Sequence, residues 1–210
     1  MSSITSGTDQ ISLSSLIVGL IGTIASVLSI LYAIKTEKKS ITFSWEYLRI
    51  STKELYMTMR KKFMPDLIFV PDIKVGIIAH MIESRLSEKI SARIPIFVGT
   101  LIWKTDDYPL HLKLNDKYIK RETDKWHVHV PKELLSHRTK KILIVSDCAL
   151  SGEMFFELKK LFKETGFAED NIKTVSIITT QIARNTYKVP DYYWKITESS
   201  EYYFPWGKGR

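Results

Sequence analysis

Cysteine is almost missing from this chain: Cys148 is the single one among 210 residues. One thiol excludes an internal disulfide framework and any thiolate metal cluster, and it suits a reducing compartment. Basic residues are missing only at the start. No Lys or Arg precedes Lys35, and the stretch from Ile11 to Ile34, ISLSSLIVGLIGTIASVLSILYAI, holds no charged side chain. Internal repeats and low-complexity tracts are absent. So is the Gly-x4-Gly-Lys-[Ser/Thr] order of a P-loop, which removes the best-known triphosphate cradle.

The uncharged stretch is long enough to matter. At about 1.5 Å per residue, a helix over 11–34 crosses a hydrocarbon core of roughly 30 Å. A cleaved secretory signal would start with basic residues and carry a shorter apolar centre; here Asp9 is the only charge ahead of it. The sequence therefore predicts a short extracytoplasmic N-terminus at 1–10, a retained transmembrane helix at 11–34, a basic linker at 35–43 and a domain at 44–210. Lys35, Lys38 and Lys39 set the orientation. Positive flanks stay inside, which places the N-terminus outside and the domain in the cytoplasm of a single-pass cell-membrane protein. Ser15, Gly19 and Thr23 form a small-residue stripe that would let such helices associate as a homo-oligomer, although small residues also occur in single spans that pair with nothing.

All 31 Lys and Arg and all 23 acids but Asp9 follow this stretch, leaving the remainder with a surplus of nine positive charges. The anionic inner leaflet of a lipid bilayer accounts for that surplus. No nucleic-acid module accompanies it, so no specific nucleic-acid partner is expected.

In the remainder, Leu48, Leu55, Met59 and Phe63 recur at helical spacing and predict an amphipathic helix from about Thr52 to Met64, stopped by Pro65 and Asp66. LIFV at 67–70 reads as a buried strand, VGIIAHMIESRLSEKI at 75–90 as a helix and IPIFVGTLIW at 94–103 as a strand. The polar stretch 104–125 predicts a hairpin or flap, and WHVHV at 126–130 a strand. KKILIVSD at 140–147 has the unbroken apolar run of a parallel strand covered on both faces. A helix from Glu153 to Thr165, closed by Gly166, and a strand over TVSIITT at 174–180 follow. Alternating strands and helices define a three-layer α/β domain with a parallel central sheet. Ligands of such sheets bind beyond the carboxyl ends of the strands, where Asp72, Lys74, Asp147, Ser151 and Gly152 would gather.

One stretch carries most of the chemistry. SDCALSGEM at 146–154 ends a strand on a carboxylate and enters a helix through a Ser-Gly turn. Main-chain amides and the positive end of the helix would face a phosphate there, although any strand-to-helix turn also favours Asp, Ser and Gly as caps. KKILIVSDCALSG resembles the ribose-phosphate signature of type I phosphoribosyltransferases, in which apolar residues precede two acids and a Thr/Ser/Gly-rich loop. FMPDLIFVPDIKVGIIAHMI at 63–82 is similar to that family's Pro-Asp-led strand, pyrophosphate loop and helix, and SWEYL at 44–48 to the start of its domain. YKVPDYYWKITESSEYYFPW at 187–206 resembles the purine end of xanthine/guanine-type members. The resemblance spans roughly 44–206.

It implies transfer of a phosphoribosyl group from phosphoribosyl pyrophosphate to a purine-like base, with Mg2+ as cofactor. Asp147 matches the second acid, the catalytic and metal-orienting one, while Ser151 and Gly152 match the centre of the 5′-phosphate loop. Asp72, Lys74 and Gly76 fall in the pyrophosphate loop, and Tyr187, Lys188, Asp191 and Tyr192 fall where the purine is held. The departures are specific. Ser146 replaces the first acid, Leu150 and Met154 replace hydroxyl donors, Glu153 brings a negative charge to the phosphate loop, and Val75 replaces a glycine. Such losses predict weakened turnover, so a catalytically degenerate nucleotide or phosphoribosyl sensor, or a membrane effector in defence or signalling, is the alternative.

Three further groups are assigned to packing or solvent. His127 and His129 share one strand face but lack a third ligand, Cys148 has an acid rather than a base beside it, and Asp106-Asp107 suits a solvated turn.

Overall fold

The computed structural model describes residues 23–24, 26–28, 40–104, 117–198 and 201–209. The chain divides into two compact units, Met1–Lys39 and Ser40–Arg210. In the first, residues 23–24 and 26–28 are helical; the rest of the expected membrane helix over 11–34, and the N-terminus at 1–10, lie outside the described residues. Among the described residues no helix is long and apolar enough to cross a membrane.

The second unit begins earlier than expected. Ser40–Thr42 form a strand, β1, where the sequence reading placed the end of a linker. β1 pairs in parallel with β10 (Glu201–Phe204), which turns back onto β11 (Gly207–Lys208). Helix α1 runs Trp45–Met59, starting seven residues before the expected Thr52. Ser44 caps it, its hydroxyl accepting from the Tyr47 N–H at 3.2 Å. The early start was hidden because Ser51 and Thr52 sit on the buried face of the helix. Their hydroxyls donate to the Leu48 carbonyl at 3.1 and 2.7 Å, so two polar letters satisfy themselves inside the core.

The central sheet has the order β3-β2-β7-β8-β9, every neighbour parallel. Its strands are β2 (Leu67–Val70), β3 (Ile96–Val98), β7 (Ile142–Ala149), β8 (Ile172–Thr180) and β9 (Tyr192–Thr197). Strand periodicity sorts the core. Ile68, Val70, Leu143 and Val145 face α1 and α2 (Gly76–Ile90), packing with Leu48, Ile78 and Ile82. Leu67, Phe69, Ile142 and Ile144 face the other way, packing with Phe155, Leu158 and Phe162 of α3 (Glu153–Glu164). Each fully buried aliphatic or aromatic side chain contributes roughly 1.5–3 kcal/mol, so the two cores dominate the stability.

The segment read as one strand over 94–103 is two. β3 stays in the parallel sheet, and β4 (Thr100–Trp103) joins an antiparallel sheet of order β4-β6-β5 with β5 (Tyr118–Glu122) and β6 (Trp126–Pro131). Gly99 lies at the switch. A Cβ there would come within 2.7 Å of the His129 carbonyl and of the Phe69 ring, so the crossing point admits no side chain. Residues 105–116, including Asp106 and Asp107, lie outside the described residues. A short helix, α4 (Gln181–Asn185), follows β8.

Candidate functional site

Two strand-to-helix turns meet at the carboxyl edge of the sheet, one after β2 and one after β7. After β2, Asp72 caps a single 3-10 turn (Ile73–Val75), its carboxylate accepting from the Lys74 N–H at 3.0 Å. Val75 and Gly76 are both right-handed helical, and Val75 is buried. The β-branched residue at the position of a glycine thus fits a plain helical entry. Lys74 is exposed.

On β7, Asp147 is not the last residue of its strand, as the sequence suggested; the strand continues through Cys148 to Ala149. Asp147 is 6% exposed and accepts from the Cys148 N–H at 2.7 Å. The Ser146 hydroxyl is 3.4 Å from both that carboxylate and the Cys148 carbonyl, so the residue replacing the first acid is turned into its own strand. Burial pushes the Asp147 carboxyl up to about 6, against the pull of the Cys148 amide, and Asp72 pushes it the same way. Among the described residues the Trp206 indole N–H has no hydrogen-bond partner, and the Cys148 amide is the main counterweight. Burial, reinforced by Asp147, drives the Cys148 thiol well above its ordinary range, as expected of a packing residue.

Asp72, Lys74, Ser146 and Asp147 line one cavity of about 290 Å³, joined by Met154 and by Lys208 from β11. Sequence reasoning missed Lys208, which lies 61 positions from Asp147 and carries no motif. The expected phosphate-loop residues sit in a second cavity of about 310 Å³, lined by Leu150, Ser151, Gly152, Glu153 and Met154 together with Trp103, Lys125 and Trp126. Gly152 is left-handed, with φ +72°, and an added Cβ would overlap the Lys188 carbonyl. No side chain caps α3. Glu153 stands in its first turn, 2.6 Å from Lys125 and 3.8 Å from Lys188. Lys125 holds its carboxyl below the usual range, with Lys188 and the Ser151 hydroxyl helping. The loop expected to receive a phosphate already contains an anion with two cations upon it.

The purine-site expectation divides. Lys188 reaches this loop, its ammonium 5.3 Å from the centre of the Phe156 ring. Tyr187 has a positive φ of 56° and is 94% exposed. Asp191 and Tyr192 are elsewhere. Tyr192 opens β9 opposite Val175, near the amino end of β8. Asp191 is 2.7 Å from Lys159 and accepts from the Thr174 hydroxyl at 2.7 Å and its N–H at 2.8 Å. These partners lower its pKa against its own burial, which makes it a tie between β8, α3 and the strand that follows.

The residues present do not fit a resident magnesium ion. Among the described residues no three His, Cys, Asp or Glu side chains gather into a ligating group. The first cavity offers two carboxylates, Asp72 and Asp147, beside two lysines, and magnesium held by so few carboxylates takes its other ligands from water and substrate phosphates, so it would enter with a phosphorylated ligand rather than reside there.

No protein-family model matches the chain, and no curated protein is detectably similar to it in sequence. The fold is another matter. It is similar to the purine phosphoribosyltransferase of Pyrococcus horikoshii Ot3, at 19% identity with a TM-score of 0.55, over 81% of this chain and 95% of that one. A Neisseria gonorrhoeae protein with bound ppGpp gives 17% identity and a TM-score of 0.58, over 80% of this chain and 89% of that one. The Helicobacter pylori xanthine-guanine-hypoxanthine phosphoribosyltransferase gives 15% and 0.52, over 80% and 94%. The chain therefore has an α/β fold whose five-stranded parallel sheet matches that of type I purine phosphoribosyltransferases.

Proposed function

We propose that this is a phosphoribosyltransferase-like protein that binds phosphoribosyl pyrophosphate or a purine nucleotide at the carboxyl edge of its sheet. The observation that carries the reading is the convergence of Asp72, Lys74, Ser146 and Asp147, from two adjacent parallel strands, on one cavity. Asp147 would orient the ribose, and Lys74 with Lys208 would neutralise phosphate oxygens. Transfer to a purine-like base passes through a cation-like ribosyl centre as pyrophosphate departs. Losing the first acid removes one oriented contact, an effect of about 2–4 kcal/mol on the barrier, so transfer would be slow. Residues 11–34 would anchor the chain in the cell membrane with the domain in the cytoplasm.

A second reading has an observation of its own. Glu153, ion-paired at the loop, favours a domain that binds a nucleotide and reports it through the anchor without turning it over. The ppGpp in the Neisseria protein supports nucleotide binding by a similar fold.

The test is calorimetry on the full-length chain in detergent micelles, with phosphoribosyl pyrophosphate and Mg2+ and then with purine nucleotides, followed by a pyrophosphate assay on adding purine bases. Binding with pyrophosphate release supports transfer. Binding without release selects the sensor, and binding of neither ligand class sinks both readings.

A further inference from the structure

The second cavity does not look like a phosphate site. Leu150 and Met154 present apolar side chains where a phosphate-binding turn would present hydroxyls, and Trp103 and Trp126 wall the opposite side. The two indoles are cross-strand partners on β4 and β6, with ring centres 6.4 Å apart and planes 25° from parallel. At the rim the Glu153 carboxylate is held by Lys125 and Lys188, so these two cations already have an anion upon them when a phosphate approaches. A largely apolar, aromatic-walled space with one acceptor at its edge suits a flat neutral ring that carries N–H donors. The first cavity has the complementary character, with Lys74 and Lys208 on its walls, the Lys208 ammonium resting 3.0 Å from Glu201. The two spaces share Leu101, Trp103 and Met154, so a single ligand can occupy both.

We propose that the second cavity takes the base of a purine nucleotide whose phosphates lie in the first cavity, toward Lys74 and Lys208. The inference rests on the nucleotide-binding reading above and adds a direction to it. The ring lies at the Leu150–Met154 turn, where the sequence resemblance would put the 5′-phosphate.

The full-length chain in detergent micelles is titrated with ADP, GDP, ribose 5-phosphate and inorganic pyrophosphate, followed by calorimetry and tryptophan fluorescence. At least one nucleoside diphosphate is expected to bind at least tenfold more tightly than ribose 5-phosphate and to change the tryptophan emission. Leu150→Asp is expected to weaken that nucleotide at least tenfold while leaving pyrophosphate within twofold, and Leu150→Met to preserve both. Ser151→Asp, at the same wall, carries the same comparison if Leu150→Asp does not fold. Ribose 5-phosphate binding as tightly as the nucleotides, or a nucleotide affinity indifferent to both charged variants, overturns the placement of the ring and leaves the sugar-phosphate reading standing. Failure of all four compounds to bind overturns that reading and the inference together.

Discussion

The turns after β2 and β7 occupy equivalent places on neighbouring parallel strands, yet they handle charge in opposite ways. The first is self-contained. Asp72 satisfies the Lys74 amide, the backbone stays right-handed, and Lys74 is left exposed at the cavity mouth. The second depends on distant parts of the chain. Gly152 must be left-handed beneath the Lys188 carbonyl, and Glu153 draws Lys125 from the β5–β6 turn and Lys188 from beyond α4. A helix entrance can thus be closed by a local acid or by a remote cation pair on a resident acid. The first arrangement leaves a lysine exposed at the cavity, whereas the second commits its cations to a resident anion.

Breaking the second turn should have the largest effect. Gly152→Ala forces a side chain into a positive φ and into the Lys188 backbone, and strain of this kind is worth about 1–3 kcal/mol before the overlap is counted. A loss of at least that size in urea denaturation is expected, together with loss of nucleotide binding. An unchanged midpoint would show that the turn relaxes freely.

Asp147 sharpens the contrast through pH. Its folded pKa is raised from 3.8 to about 6, chiefly by burial, so the fold prefers the protonated acid. That preference is fully present below about pH 4 and is lost as pH rises through 6, a change of about 3 kcal/mol. Asp147→Asn does not titrate. Its stability relative to the parent should therefore climb across pH 4 to 7 and level off above, as read from denaturation midpoints of both proteins. A flat difference would mean that the carboxyl is not buried as described.

Glu153→Gln should change stability least. The Glu153–Lys125 pair is half-exposed, with side chains 34% and 56% accessible, and such pairs contribute about 0–1 kcal/mol. The midpoint should move by less than that. Removing the resident anion should still raise the affinity for ribose 5-phosphate severalfold, because Lys125 and Lys188 lose their partner. Unaltered ribose 5-phosphate binding would show that these two cations play no part in capturing anions.

Much of the sheet was legible in the sequence for a simple reason. Strands buried on both faces, such as LIFV and ILIV, have no polar letter to blur them. The site was only half legible. Asp72, Lys74 and Asp147 converge because each follows a strand or lies near its carboxyl end, and topology alone brings strand ends together. Glu153 was visible as an intruding charge, but not its pairing with Lys125, 28 positions away. Asp191 and Tyr192 were misplaced relative to this edge because the segment from Lys188 to Asp191 runs along α3, past Phe156 and then Lys159, toward the amino ends of the strands. The break in IPIFVGTLIW rests on one glycine inside an otherwise continuous apolar run, and neither its packing against Phe69 nor the change of sheet leaves a periodic signal.

The small sheet of β1, β10 and β11 joins the entrance of the second unit to its far end. Ser40, Ile41 and Thr42 pair with Glu201, Tyr202 and Tyr203, and Tyr203 pairs in turn with Lys208. Tension applied to the chain just ahead of Ser40 would load the same ladder that carries an ammonium group to the cavity wall. Whatever grips that ammonium from inside would, by the same coupling, stiffen the place where the leading segment is attached.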